Sequence, residues 1–251
     1  MNNLSRIFFL RFLILVCVSI LILIPLLAFA QDEEEGLEEA LRVYKHGDGG
    51  EKIVALTFDD GPKPEFSNEV LDILDRYGIK ATFFVVGKEV KAHPDMLMAI
   101  YQRGHDIGNH SYSHISAKKL TLAEIAAELK KTNAIIKQIT GLSTKYFRAP
   151  GGWYNIQVLQ EVHRQGLKEI DWSINSSDYT TIVDEFKVEM DYDDLAQKVY
   201  DRVIKKIHPG AVILFHNGSI QTIRALPRII KAIKDKGYGF VTISDMMRTK
   251  R

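Results

Sequence analysis

The chain has 251 residues, of which 46% are apolar and 26% charged, with 17 glycines and 7 prolines. That composition excludes a disordered, collagen-like or low-complexity chain. With 33 Lys and Arg against 32 Asp and Glu, the net charge of +1 also argues against a nucleic-acid binder.

The first thirty residues stand apart. Arg6 and Arg11 supply positive charge, and no residue from Phe12 to Ala30 is charged. The run ends in Ala28-Phe29-Ala30, a small-residue cleavage pattern. It is long for a signal peptide and just long enough to span a bilayer. Two expectations follow: a cleaved signal, or a retained membrane anchor. A buried core helix is a third. Either of the first two places the remainder outside the cytoplasmic membrane, secreted or anchored to its outer face. Cys17 lies in this segment behind Val16, where a lipoprotein signal needs a small residue, so it is not read as lipidated.

Beyond residue 30 the chain has no cysteine and a net charge of −1, because the segment removes two cations and no acid. Disulfides and thiolate chemistry are excluded there, and any metal must be held by His and carboxylates. Residues 31–51 are acidic, then Gly-rich, and read as a spacer. A single domain is expected over 52–251.

Alternating elements follow. Ile53 to Phe58 reads as a buried strand, and Phe66 to Tyr77 as an amphipathic helix stopped by Gly78. A strand is expected at Ala81–Val86, then a helix from Lys88 to Arg103 whose main part starts at Pro94. A short strand at Asp106–Asn109 precedes a long helix from Thr121 to Ile139, with Thr121 and Glu124 forming a capping box. Then come a strand at Tyr146–Arg148, a helix at Asn155–Gln165 and a strand at Leu167–Ile174. A helix at Tyr192–Ile207, a strand at Ala211–Phe215, a helix at Gln221–Lys236 and a strand at Tyr238–Ile243 complete the pattern. The acidic stretch Asp184–Asp194 reads as a solvated loop leading into a helix, with a border of the substrate groove as the alternative. Seven strands alternating with helices predict a parallel α/β sheet closed, or nearly closed, into a barrel, with a doubly wound open sheet as the alternative.

Polar clusters sit at or just beyond the strand ends. They are Asp59-Asp60-Gly61, His110-Ser111-Tyr112-Ser113-His114, Arg148-Ala149-Pro150-Gly151-Gly152, Asp178 in the loop after strand five, and His216-Asn217-Gly218. In a parallel barrel these ends share one face, where active sites are built. His110 and His114, four apart, are expected on one face of a helical turn. Two His and one carboxylate leave coordination positions open for a metal-acidified water. Adjacent side chains at a strand end point to opposite sides, so Asp59 and Asp60 are expected to differ in task, one a metal ligand and the other a proton acceptor. Arg148 is equally compatible with a structural ion pair, and His216 with a satisfied core histidine. His46, His93, His105, His163 and His208 are scattered and read as surface or packing residues.

Thr57-Phe58-Asp59-Asp60-Gly61, the His110–His114 stretch, Arg148–Gly152 and Leu214-Phe215-His216 resemble, in order and spacing, the motifs of the polysaccharide deacetylase family, the NodB-homology domain of chitin and peptidoglycan deacetylases. The resemblance spans about Lys52 to Ser244. It implies a distorted (β/α) barrel, one divalent cation, and hydrolysis of N-acetyl groups on an N-acetylated polysaccharide. The cation implied is zinc in the first place, with cobalt, manganese or iron tolerated. By the same resemblance Asp59 is the general base, Asp60, His110 and His114 bind the metal, and Arg148 orients Asp59. Gly151 offers its N–H to the oxyanion, His216 is the general acid, and Leu214 lines the acetyl-methyl pocket. The family's Asp-Trp pair is best matched by Asp178-Tyr179, which makes Asp178 the partner of His216 and Tyr179 a substrate-groove residue. Asp171-Trp172 has the right letters but falls inside an expected strand. Two rival functions are a different metal hydrolase, such as a phosphoesterase, and an inactive sugar-binding protein. No protein partner is expected.

Overall fold

The computed structural model describes residue 31, residues 33–179 and residues 191–248. The expected apolar helix at residues 1–30 and most of the 184–194 loop lie outside the described residues. Among the described residues no helix is long and apolar enough to cross a membrane. Residues 33–40 are helical and belong to a separate unit, whereas the domain proper begins at Val43.

The domain is an α/β fold around one parallel sheet. Its strands are β1 (Val43–Tyr44), β2 (Ile53–Gly61), β3 (Thr82–Val85), β4 (Asp106–Asn109), β5 (Tyr146–Phe147), β6 (Lys168–Ile170), β7 (Ile174–Asn175), β8 (Ala211–His216) and β9 (Gly239–Phe240). The order is β1-β6-β5-β4-β3-β2-β8-β7, with β9 against the start of β2, and every ladder between these strands is parallel. The helices are α1 (Pro64–Tyr77), α2 (Gly87–Ala92), α3 (Pro94–Gln102), α4 (Leu122–Thr140), α5 (Ile156–Arg164), α6 (Tyr192–Lys206), α7 (Ile220–Asp235) and α8 (Ile243–Arg248). Parallel neighbours need such crossovers, so the alternation read from the sequence is the physical requirement of this sheet.

Three local expectations change. The stretch read as spacer contains β1, whose Val43 and Tyr44 pair with Glu169 and Ile170. Two residues are too short to carry a sequence signal. The helix expected at 88–103 is two helices, because Pro94 pushes His93 out of helical geometry, to φ −132° and ψ 59°. The strand expected at Leu167–Ile174 breaks into β6 and β7, which pair with different neighbours. Across the break, Asp171 N–H donates to Tyr44 O of β1, and Ser173 N–H donates to Val212 O of β8. This segment spans the mouth between the two ends of the sheet. Among the described residues no ladder joins β1 to β7, so the sheet curls without closing as the expected barrel would.

Strand alternation sorts the core. Val54, Leu56 and Phe58 of β2 pack outward in the layer shared with Leu71, Leu74, Ile213, Leu226 and Ile229. Ala55 faces the other way, among Tyr44, Phe84, Ile170 and Val212 inside the curl. Thr57 and Asp59 follow Ala55 at spacing two and share its side. Phe58 stacks between Phe83, at 5.2 Å, and Phe215, at 5.6 Å. The capping box on α4 is present, with Thr121 accepting from Glu124 N–H and Glu124 accepting from Thr121 N–H.

Phe58→Ala should therefore cost about 3–5 kcal/mol of unfolding free energy. Thr121→Ala should cost only about 1 kcal/mol. Urea denaturation checks both: the midpoints should fall in that order with unchanged m-values.

Candidate active site

Arg148 follows β5 and is wholly buried. A buried guanidinium is stable only when its N–H groups are spent on acceptors. Its Nε donates to Ile170 O at 2.9 Å and its Nη2 to Asp171 O at 3.0 Å, two carbonyls beside the β6–β7 break. Its Nη1 donates to Thr57 Oγ1 at 2.8 Å and to Asp59 Oδ1 at 2.7 Å. The guanidinium also stacks on Phe84 at 4.1 Å. Arg148 thus ties β2 to the break and pins one oxygen of Asp59.

Asp60 departs from the expected alternation. It takes the left-handed conformation, φ 73°, and the β2–β3 register shifts between Asp59 and Gly61. The turn brings its carboxylate to the same pocket as that of Asp59 rather than to the opposite side. Asp60 Oδ1 lies 3.0 Å from His114 Nε2 and 3.4 Å from His110 Nε2. Burial opposes ionisation of Asp60, but His110 and His114, when their rings are protonated and donate to it, outweigh burial and hold the carboxyl well below the usual range.

The two histidines do not share a helical turn. They sit in a loop after β4, with Ser111 and His114 both at positive φ. Glu128 of α4 holds that loop: one carboxylate oxygen accepts from Tyr112 N–H, Ser113 N–H and Ser113 O–H at 2.7–3.0 Å. His110 Nδ1 lies 2.8 Å from Arg148 O, an acceptor, so Nδ1 carries the proton and a neutral ring presents a lone pair at Nε2.

The donor set fits a metal on the structure's own terms. One oxygen of Asp60 is buried without a hydrogen-bond donor. It faces a ring nitrogen that is an acceptor whenever His110 is neutral. Acceptors crowded together repel unless a cation lies among them. Ligand atoms of Asp60, His110 and His114 all lie within 4.8 Å of one another.

His216 ends β8 in register with Asp59 on the adjacent β2. Its Nδ1 lies 2.7 Å from Asp178 Oδ1, and its N–H donates to Asp178 Oδ2 at 2.8 Å. Asp178 is itself buried and accepts from the Thr222 hydroxyl, while its carbonyl accepts from Gln221 at 2.7 Å. Burial alone would depress the His216 pKa, but the hydrogen bond and charge of Asp178 outweigh it and raise it above the usual value.

Asp59, Asp60, His110, His114, His216 and Leu214 share one pocket of about 240 Å³ with Gly151 and Tyr179. Arg148 and Asp178 stand behind it. All ten residues picked out from the sequence are therefore brought together. Tyr179 is exposed and packs edge-on against His216, with centroids 4.8 Å apart. Trp172 and Asn175 also line the pocket. The sequence reading set Trp172 aside because it assumed an unbroken strand there. Gly152, at φ +67°, lies so close that a Cβ would come 2.6 Å from Trp172, and only glycine fits that turn easily. Glu169 was missed as well. Its Oε1 accepts from Ala149 N–H at 2.9 Å, and burial pushes its carboxyl up to about 8. The scattered histidines stay out of the pocket, and His105 packs in the core as expected, accepting from Ala81 N–H.

The polysaccharide deacetylase family profile matches residues 46–170. A peptidoglycan-N-acetylmuramic acid deacetylase of Bacillus subtilis, PdaA, is 35% identical over 85% of this chain and 78% of its own. Its solved structure, a family 4 carbohydrate esterase, superposes with a TM-score of 0.74 over 87% of this chain and 90% of that one. A peptidoglycan-N-acetylglucosamine deacetylase of Bacillus cereus is 34% identical over 79% of this chain and 69% of its own. A Bacillus anthracis structure described as a CE4 family pseudoenzyme is 30% identical, with a TM-score of 0.72 over 82% of this chain and 69% of that one. Motifs, fold and relatives agree, and the chain belongs to the polysaccharide deacetylase family.

Proposed function

We propose that this protein hydrolyses N-acetyl groups on the glycan of peptidoglycan, using a divalent cation, zinc in the first place, held by Asp60, His110 and His114. One observation carries the reading. The acceptor cluster is flanked on one side by a carboxylate held by a buried arginine and on the other by an imidazole held by a buried aspartate. That is a base and an acid about one substrate position. Because a structurally similar protein is a pseudoenzyme, family membership alone does not carry the activity; the presence of all these side chains does.

A cation at this site would polarise the acetamide carbonyl and acidify water. Asp59 accepts a proton from the attacking water. Arg148 occupies its Oδ1, which leaves Oδ2 for that task. The Gly151 N–H is assigned to the oxygen on which negative charge develops; losing one such donor typically costs about 3–4 kcal/mol. His216 protonates the departing nitrogen. Its Nδ1 is engaged by Asp178, so Nε2 delivers the proton. Leu214 and Tyr179 flank the acetyl methyl. Acetate leaves, and a free amine remains on the sugar. The substrate lies outside the cytoplasmic membrane, which fits residues 1–30 as an export signal or anchor.

Acetate release from peptidoglycan strands or chitin oligomers, followed by mass spectrometry, should vanish on chelation and return with zinc. Persistence in chelator would remove the metal from the reading. Asp59→Asn should keep zinc at the wild-type ratio yet release acetate about 10²–10⁴-fold more slowly. Acetate release at the parent rate would end the assignment of Asp59 as base.

The pH dependence has a definite sign. His216 must be protonated to act, and Asp178 raises its pKa. Asp178→Asn removes the hydrogen-bonded charge and leaves burial opposed only by the smaller contributions of Asp59 and Asp60, so the alkaline limb of activity should move to lower pH. The stability that the pair contributes is fully present below about pH 6.5 and is lost as pH rises through the elevated pKa. NMR titration of the His216 ring in both proteins, with urea denaturation at several pH values, checks this.

A further inference from the structure

The metal pocket does not end at His114. A second pocket of about 150 Å³, lined by Asp60, Lys63, Val86, Lys88, Glu89 and His114, shares Asp60 and His114 with it. A third of about 310 Å³, lined by Lys63, Pro64, Glu65, Phe66 and His93, shares Lys63 with the second. Lys63 thus lines the space that adjoins the metal site across Asp60 and His114.

Lys63 is held by the same framework as the catalytic carboxylate. It precedes α1, and its N–H donates to Ser67 Oγ at 2.9 Å. Ser67 Oγ in turn bonds the Asn217 side chain, and Asn217 N–H donates to Asp59 O at 2.8 Å. The Lys63 ammonium lies against Gly218, where a Cβ would come 2.8 Å from it. Among the described residues no carboxylate pairs with it. Lys88 differs, since Glu89 lies 3.9 Å from its ammonium.

Asp59, Asp60 and Glu89 would repel an anionic substrate at this end of the pocket. An uncompensated, half-buried ammonium reverses that locally. On a 2-acetamido sugar the group next to the reacting carbon-2 substituent is the one on oxygen-3. In a glucosamine unit it is a neutral hydroxyl. In a muramic-acid unit it is a lactyl ether, whose carboxyl is a free carboxylate where no stem peptide is joined to it and a neutral amide where one is.

We propose that Lys63 binds the carboxylate of the oxygen-3 lactyl group, so that the unit deacetylated is N-acetylmuramic acid. This rests on the deacetylase reading above. An ammonium–carboxylate contact is charge-assisted and adds affinity chiefly in substrate binding. The neighbouring N-acetylglucosamine units lack the charge and gain nothing from it.

The test uses the full chain loaded with zinc, on glycan strands freed of stem peptides, on strands still bearing them, and on chitin oligomers. Mass spectrometry locates each lost acetyl group. Muramic units of peptide-free strands should react in preference to glucosamine units. Lys63→Gln should raise KM for those strands about tenfold with kcat nearly unchanged. It should leave chitin oligomers unaffected, and Lys63→Arg should restore most of the preference. Raising salt should weaken the wild-type preference, since the ammonium is partly exposed. Peptide-bearing strands reacting better than peptide-free ones would move the recognised carboxylate off the lactyl group and overturn the proposal. So would a Lys63→Gln variant that keeps the muramic preference, or a wild-type enzyme that favours glucosamine units. No acetate from any of the three substrates would instead sink the deacetylase reading itself, and this inference with it.

Discussion

The site depends on one buried cation, the guanidinium of Arg148. Taking it out of water is expensive and is offset only if nearly all its donors find acceptors. Four bonds do this, to two main-chain carbonyls, a threonine hydroxyl and Asp59. The same bonds engage the carbonyls of Ile170 and Asp171 at the break in the strand. The pair that orients Asp59 is therefore also the joint of the open sheet. Removing either member would leave the other charge buried and alone, typically a loss of about 3–5 kcal/mol.

A second buried pair, Asp178 with His216, mirrors the first with its polarity reversed. In one the cation is structural and the anion faces the pocket. In the other the anion is structural, held by Thr222 and the His216 backbone, and the imidazole faces the pocket. Asp59 and His216 sit on adjacent strands in register, and the acceptor cluster of Asp60, His110 and His114 shares the pocket with them. Residues outside the pocket fix these positions. Glu128 clamps the histidine loop from α4, and Glu169 clamps Ala149 from β6. A pseudoenzyme of the same fold shows that the scaffold alone does not ensure the chemistry.

Much of this was legible in the chain. The β-α alternation, the capping box at Thr121 and the polar residues after each strand all follow from local pattern, and local pattern is set by neighbours in sequence. Asp59, Asp60, His110, His114, Arg148, Asp178 and His216 could be picked out because each lies at or beyond a strand end, and parallel strands gather their ends on one face; Gly151, Leu214 and Tyr179 were implied by the family resemblance. Cys17 in the first thirty residues leaves the domain without a thiol, so an Asp and His ligand set was the one chemistry open to a metal.

What the chain pattern could not decide was anything that needs two distant segments. The two-residue β1 exists because β6 is there to receive it. The break at Asp171–Ser173 forms because one half of the run pairs with β1 and the other half with β8, and it is this break that turns Trp172 into the pocket wall. Asp60 joins Asp59 because a left-handed residue cancels the strand's alternation, a backbone choice made by the surrounding packing rather than by Asp60 itself. Sequence determines which groups are available and roughly where along each element they fall. Only tertiary structure sets which of them meet, because contact between residues about ninety positions apart, such as Asp59 and Arg148, comes from the curling of the sheet.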